Sequence, residues 1–560
     1  MRRFLLAAAA PLVLLSACAS AGGGKSSQGA EAFGLSPYGM FLAGQAALND
    51  GRSSEAARFF EQAKARDGSG SEVAERAFTA AVLAGDIEKA VNLAPSGPEV
   101  SEATLRLAKL TQAVEAIADG RSKVARELLG GEGIGFPHRG VAALLAPWAA
   151  AQAGDVEASL IRPQVRGDRV VDYFGQLGRA SLFERAKRYD EAETDFKAVT
   201  AAAGSEMAIL AYGGFLERRG RKADAVALYD TLLAQEPSSI AVKAARARAA
   251  TGKTPPGVVS IREGAAQAML APAATMLQAK QTQLALAYLR LVLRLDPQRD
   301  EAWVMVGDIM QASGDSEAAR AAYGKPKPSS PEYAAAQAKL AWTYQSAKDT
   351  QTALRLARTA AASGDADARL TLADLLRANE QYAEAVDVLG GLIKEQKTPD
   401  WRLYYARGVS LERLGRWKEA EVDMLEALKA RPDEPELLNY LGYTWIDRGE
   451  RLPEALAMVE KAVAANPRSG AMVDSLGWAH YRLGDYKKAV EKLEQAVELE
   501  AGDPEINNHL GDAYWMIGRK DEAVFQWRRV LTLDPDPKIK ADAEAKLASG
   551  LGPKRQVAGQ

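Results

Sequence analysis

Cysteine and histidine are nearly missing from this chain of 560 residues, which holds one of the first and three of the second. A single cysteine cannot close an intrachain disulfide, and none is left to act as a free nucleophile if that one is modified. His138, His480 and His509 are too scattered to suggest a metal site, and no HExxH occurs. Net charge is also lacking. Seventy-one basic residues face seventy-three acidic ones, a balance of -2, so no large single-sign field exists to favour wholesale nucleic-acid binding. The apolar run from Phe4 to Leu15 is broken by Pro11 and is too short to span a bilayer. Phosphate loops are only mimicked: before Gly24-Lys25-Ser26 and Gly252-Lys253-Thr254, the required first glycine is replaced by Ala19 and Ala247, and neither follows a strand. No segment has the α/β pattern of a catalytic domain, so no enzyme activity, cofactor or metal is expected.

What the chain does have is a repeat. Between Trp401 and Pro535 a glycine recurs as Gly408, Gly442, Gly477 and Gly511, at spacings of 34, 35 and 34. A turn glycine follows seven residues later, as Gly415, Gly449, Gly484 and Gly518, and then a small residue, as Ala420, Ala455, Ala489 and Ala523. The extra residue lies in the turn between Gly449 and Ala455 and leaves both flanking runs in phase. Apolar residues three and four apart make a helix on each side of the turn, so each unit is a helical hairpin. One hairpin cannot bury its apolar face alone, and neighbours must stack. Gly511 and Ala523 sit where two helices approach closely, because a larger side chain there would overpack the contact.

These residues resemble the tetratricopeptide repeat. Leu510, Gly511, Tyr514, Ala523 and Pro535 fit its pattern, as do Leu441, Gly442, Trp445, Ala455 and Pro467; His480 and Ala501 depart from it in the third copy. The resemblance implies an all-α superhelical solenoid, here of about 12–14 helical hairpins counted on the repeat period.

The ladder extends in weaker form toward the N-terminus. Turn positions Gly51, Gly85, Gly120, Gly154, Lys187 and Gly220 accompany small residues Ala56, Ala90, Ala125, Ser159, Ala192 and Ala225. Six hairpins are expected there, with irregular stacking near the glycine-rich stretch 130–140. Residues 240–250 suit one more helix, and TGKTPPG at 251–257 breaks the pattern. The ladder resumes through Ala285, Ala319, Ala353, Ala385 and Ala420, with the proline-rich turn 325–331 shortening one second helix. The expected organisation is therefore a leader at 1–17, a tether at 18–36, an N-terminal repeat block at 37–250, a linker at 251–264, a C-terminal block at 265–535, and a capping helix with a tail at 536–560.

Arg2 and Arg3, the apolar run and Leu15-Ser16-Ala17-Cys18 have the form of a secretory signal. The last four residues resemble the bacterial lipobox, which implies cleavage before Cys18 and lipidation of Cys18; the competing reading is an ordinary signal with a stray cysteine. Several acyl chains on one residue anchor firmly. Ala19 stands where an aspartate marks inner-membrane retention in enteric bacteria, so the resemblance implies the outer membrane, facing the periplasm. The Gly- and Ser-rich run 19–28 suits a flexible tether.

In tetratricopeptide arrays the first helices line a groove. By that resemblance the groove residues here are Asn439, Tyr440, Tyr443, Trp478, Tyr481, Arg482, Asn508, His509, Asp512 and Trp515. Amides can bond a peptide backbone and rings can cover its side chains, so proteins or extended peptides are the expected partners. Trp445 and Tyr514 fall on the inward face and are expected to fill core. The motifs Asn439 to Tyr443, Asp474 to Trp478 and Asn508 to Asp512, together with the lipobox and tether, also resemble outer-membrane lipoproteins that partner a carboxyl-terminal processing protease. That likeness implies an adaptor gathering a periplasmic protease and cell-wall hydrolases. An assembly factor for an outer-membrane machine (pilus, secretin or β-barrel insertion complex) is the alternative, and an enzyme accessory subunit a remote one.

Overall fold

The computed structural model describes residues 36–67, 71–130, 133–237 and 239–551. The leader, Cys18, nearly all of the tether and the end of the tail lie outside them. Among the described residues there are thirty helices and no strand. They form fourteen helical hairpins, with Ile240–Ala250 and Pro537–Ser549 standing alone. None of the described helices is long and apolar enough to cross a membrane.

Two features of the sequence build each hairpin. The turn takes the left-handed backbone conformation in every one, at Gly51, Gly85, Gly120, Gly154, Lys187, Gly220, Lys280, Gly314, Lys348, Glu380, Gly415, Gly449, Gly484 and Gly518. Glycine adopts this conformation without steric cost, which explains why the turn was legible where glycine occupies it and faint where Lys280, Lys348 and Glu380 do. The small residue of the second helix is then buried against the first: the thirteen ladder alanines have no exposed surface, and Ser159 is 3% exposed. Where the first helix carries a glycine, the contact is too close for a Cβ. One built on Gly477 would lie 2.6 Å from Leu493 Cγ, and one on Gly511 would lie 2.5 Å from Trp527 Nε1.

The described residues divide into two compact units, up to Leu375 and from Leu376 onward. In the first, helix Ile261–Gln278 begins within the expected linker 251–264, because a capping box fixes its start: Ser260 Oγ accepts from Glu263 N–H and Glu263 accepts from Ser260 N–H. This helix and the next, Thr282–Leu295, do not simply continue the array. They pack back on the earlier hairpins in reverse order. Arg218 donates to the carbonyl of Pro256 and Arg185 to that of Val259; Trp148 lies against Gly264, where a Cβ would meet its ring at 2.1 Å. His138 Nδ1 meets the Tyr288 hydroxyl at 2.8 Å, and Arg294 bonds Glu115 at 2.6 and 2.9 Å. Arg290 donates to the carbonyl of Leu83, and a Cβ on Gly51 would lie 2.3 Å from Ser313 Cβ. The composition of Thr282–Leu295 accounts for this. Ala285 to Leu289, Leu291 to Leu293 and Leu295 are all buried, so the helix is apolar around most of its circumference and needs cover on more than one side.

Candidate protein-binding groove

In the second unit, three first helices carry most of the expected groove: Pro435–Arg448, Gly470–Arg482 and Pro504–Met516. Pro504 stands at the first position of its helix, and Asp503 caps it by accepting from the N–H groups of Glu505 and Ile506. A one-repeat step places equivalent residues beside one another. Asn439, Asp474 and Asn508 share one register position; Tyr443, Trp478 and Asp512 share another, one helical turn later.

The structure joins these positions into a polar and aromatic network. His509 Nδ1 lies 3.0 Å from both carboxylate oxygens of Asp474, and the His509 ring stacks on Trp478 with centroids 4.1 Å apart. Trp478 also stacks with Tyr481 at 4.5 Å. The Tyr443 hydroxyl donates to Glu505 at 2.7 Å, and Tyr440 meets Tyr405 edge-on while its hydroxyl donates to Glu412. Arg482 donates to the carbonyl of Asp447. Burial, the largest single effect, would by itself discharge His509, but the charge and hydrogen bond of Asp474 together with the charges of Glu505 and Asp512 lift the imidazole to about 9, so His509 is a cation at neutral pH. Burial first, and then the negative charges of Glu505, Asp474 and Asp447, push the Tyr443 phenol well above its ordinary range.

Three of the four expected groove residues on the Pro504 helix, Asn508, Asp512 and Trp515, have different surroundings. Helix Pro537–Ser549 lies against the Pro504 helix, and its Lys546 Nζ donates to Asn508 Oδ1 at 3.2 Å and Asp512 Oδ2 at 2.8 Å. Asp542 accepts from Asn508 Nδ2, and Trp527 donates its indole N–H to Asp512 Oδ1. Trp515 packs on Trp527, under Lys520 and against Gly550. Asn508, Asp512 and Trp515 are thus engaged by the chain's own C-terminal end. Trp445 and Tyr514 are buried, and they donate to Glu421 and Glu494.

Two polar atoms of this network have nothing to bond. Asn439 is 5% exposed and its Oδ1 is buried without a partner; the Trp478 indole nitrogen is likewise buried and unpartnered. An unsatisfied buried acceptor or donor costs about 1–3 kcal/mol, so a partner reaching either atom would be stabilising, although both are closed to solvent in this structure. Reading residues from the sequence missed Asp474, Glu505, Asp542 and Lys546. A signal was present: Asp542 and Lys546 follow Asn508 and Asp512 at one repeat period, and Asp474 stands at the register of Asn439.

Comparison with known proteins agrees with this architecture. A family model described as tetratricopeptide repeat matches residues 176–240, 370–435, 405–470 and 475–537. These are tetratricopeptide repeats. A TPR repeat-containing protein of Pseudomonas aeruginosa is 34% identical over 140 residues, which are 25% of this chain and 23% of that relative. Among solved structures, a tetratricopeptide repeat protein from Parabacteroides merdae is 14% identical over 44% of this chain and 98% of its own, with a TM-score of 0.39. A chain of the APC/C hetero-tetramer Cut9-Hcn1 is 15% identical over 93% of this chain and 97% of its own, with a TM-score of 0.38. Tetratricopeptide repeats present surfaces to other proteins, which makes the matched stretches a protein-binding scaffold in kind.

Proposed function

We propose that the protein is a lipid-anchored scaffold of the outer membrane that faces the periplasm. It binds partner proteins along the first helices of residues 435–516 and brings substrates to a carboxyl-terminal processing protease. One observation carries the binding surface: Asn439 Oδ1 and Trp478 Nε1 are a buried acceptor and a buried donor, one repeat and one helical turn apart, with no partner among the described residues. An extended segment offers backbone N–H and C=O groups, the donor and acceptor that these two atoms lack. The second to fifth hairpins are a poorer candidate, because helices Ile261–Gln278 and Thr282–Leu295 already lie on them. Anchoring rests on Leu15-Ser16-Ala17-Cys18, and the protease partnership on the three Leu-Gly motifs from Asn439 to Asp512.

The test is crosslinking in cells through a photoreactive residue at Tyr443 or Trp478, with identification of what is captured. A processing protease or cell-wall hydrolases, lost from the Tyr443→Ala, Trp478→Ala double variant, would support the proposal. Capture of pilus, secretin or barrel-assembly components would favour the assembly-factor reading instead. Unchanged capture by a folded double variant would refute the assigned surface.

A further inference from the structure

Helix Pro37–Asn49 is the first of the described helices and packs on the one that follows it, Ser53–Asp67. Met40, Gly44, Ala47 and Leu48 are buried, and Phe41 meets Phe60 edge-on with ring centroids 5.7 Å apart. The opposite face is apolar as well. Tyr38 is 70% exposed, Leu42 is 49% exposed and Ala46 is exposed, and their spacing of four places all three on one stripe. No residue of this helix is charged.

The stripe is a stacking face without a neighbour. Counted back from the turn glycine, Leu42 stands where later repeats bury Ala406, Ser475 and His509, and Ala46 where they bury Ser410, Ala479 and Ala513. There a preceding hairpin packs on the first helix; among the described residues none precedes Pro37. The end of a repeat array is ordinarily closed by a polar outer face. Pro537–Ser549 obeys that rule, with Lys538, Lys540, Asp542, Glu544 and Lys546, and Pro37–Asn49 does not.

The chain that precedes the helix says what covers it. On the anchoring reading above, only residues 18–35 lie between the lipid and Ser36, about half of one repeat and too few for a covering hairpin. Their covalent reach is at most about 60 Å, so the helix is held close to the bilayer. A second copy fits less well. Thirteen residues make a helix about 20 Å long, and a stripe about 10 Å wide on it offers about 200 Å², against about 800 Å² per partner in a standard interface. An uncharged stripe with a tyrosine suits the bilayer boundary, where the ring meets acyl chains and the hydroxyl stays among headgroups.

Resting on that anchoring reading, we propose that the Tyr38, Leu42 and Ala46 face of helix Pro37–Asn49 lies on the phospholipid surface, so that the array meets the membrane through its first helix as well as through the lipid on Cys18. The contact is apolar and does not depend on anionic lipid.

The test uses residues 18–560 coupled through Cys18 to a maleimide-bearing phospholipid, in vesicles of phosphatidylethanolamine and phosphatidylglycerol, with a photoreactive benzophenone residue in place of Tyr38. Illumination should crosslink that position to acyl chains, equally at low and high salt. Leu42→Glu should cut the lipid crosslink about tenfold or more, because a carboxylate resists leaving water, while circular dichroism shows unchanged helix content. Crosslinks found by mass spectrometry only to residues 18–35, to a second copy or, in cells, to another protein would overturn the surface contact, as would a lipid crosslink that salt abolishes. Mass spectrometry of Cys18 in the native chain tests the anchor separately. An unmodified Cys18 would overturn the anchoring reading even where the coupled chain crosslinks to lipid, and an acylated Cys18 without lipid crosslinks at position 38 would overturn the surface contact alone.

Discussion

Gly390 and Gly511 are both helical glycines of the second unit, yet replacing each with alanine should move stability in opposite directions. A Cβ on Gly390 would meet only the Arg407 guanidinium, at 3.5 Å, so alanine there gains helix propensity, about 1 kcal/mol. A Cβ on Gly511 would lie 2.5 Å from Trp527 Nε1 and 2.6 Å from its Cδ1. Trp527 has no exposed surface and cannot swing into solvent. Overpacking of this kind costs about 1–3 kcal/mol. If the indole also gives up its 3.0 Å bond to Asp512, a hydrogen bond to a charged group is lost, worth about 1.5–3 kcal/mol. With that bond lost and the propensity gain subtracted, Gly511→Ala should destabilise its repeat by about 1.5–5 kcal/mol. An array of stacked hairpins need not unfold as one unit, so native-state hydrogen exchange is the suitable assay. Protection should fall about tenfold or more, confined near residues 470–549, where tenfold corresponds to about 1.4 kcal/mol. Unchanged or increased protection there, or an even loss along the whole chain, would refute the close-packing argument.

Arg294→Ala should destabilise the first unit by about 3 kcal/mol, seen as a lower melting temperature, because Glu115, 3% exposed in its side chain, would keep a buried charge without its main partner. For the same reason, residues 36–250 produced alone should melt less cooperatively than residues 36–296, which include Tyr288, Arg290 and Arg294. The His509 imidazole rises from its usual 6.5 to about 9 on folding, so the stability it adds is fully present below pH 6.5 and is lost as pH rises through about 9. The exchange protection that separates wild type from His509→Gln in residues 470–516 should therefore shrink between pH 6.5 and 9.5; a constant difference would contradict the pairing with Asp474. Cys18→Ala should release the protein from the outer-membrane fraction, and unchanged retention there would disprove lipidation. Tyr443→Ala with Trp478→Ala should cost at least about 2 kcal/mol in partner affinity with helix content intact.

The hairpins were legible because their signals are local. A left-handed turn, a buried small residue and a close helix contact each demand a particular residue type within one repeat, and these demands recur at Gly484, Ala489 and Gly477 as they do at Gly518, Ala523 and Gly511. The lone helix Ile240–Ala250 and the capping helix were likewise readable from their breakers and caps. The partners of the groove residues were not. Periodicity says which residues share a face, but whether that face meets a ligand or the chain itself depends on contacts far apart in sequence. The apolar helix Thr282–Leu295 fits the repeat ladder as well as any other, and only the fold lays Tyr288 on His138 and Arg294 on Glu115. In the same way Asn439 and Asn508 are one residue type at one register, and tertiary structure alone distinguishes them: Lys546 and Asp542 reach Asn508, while the carboxamide oxygen of Asn439 is buried with nothing to bond.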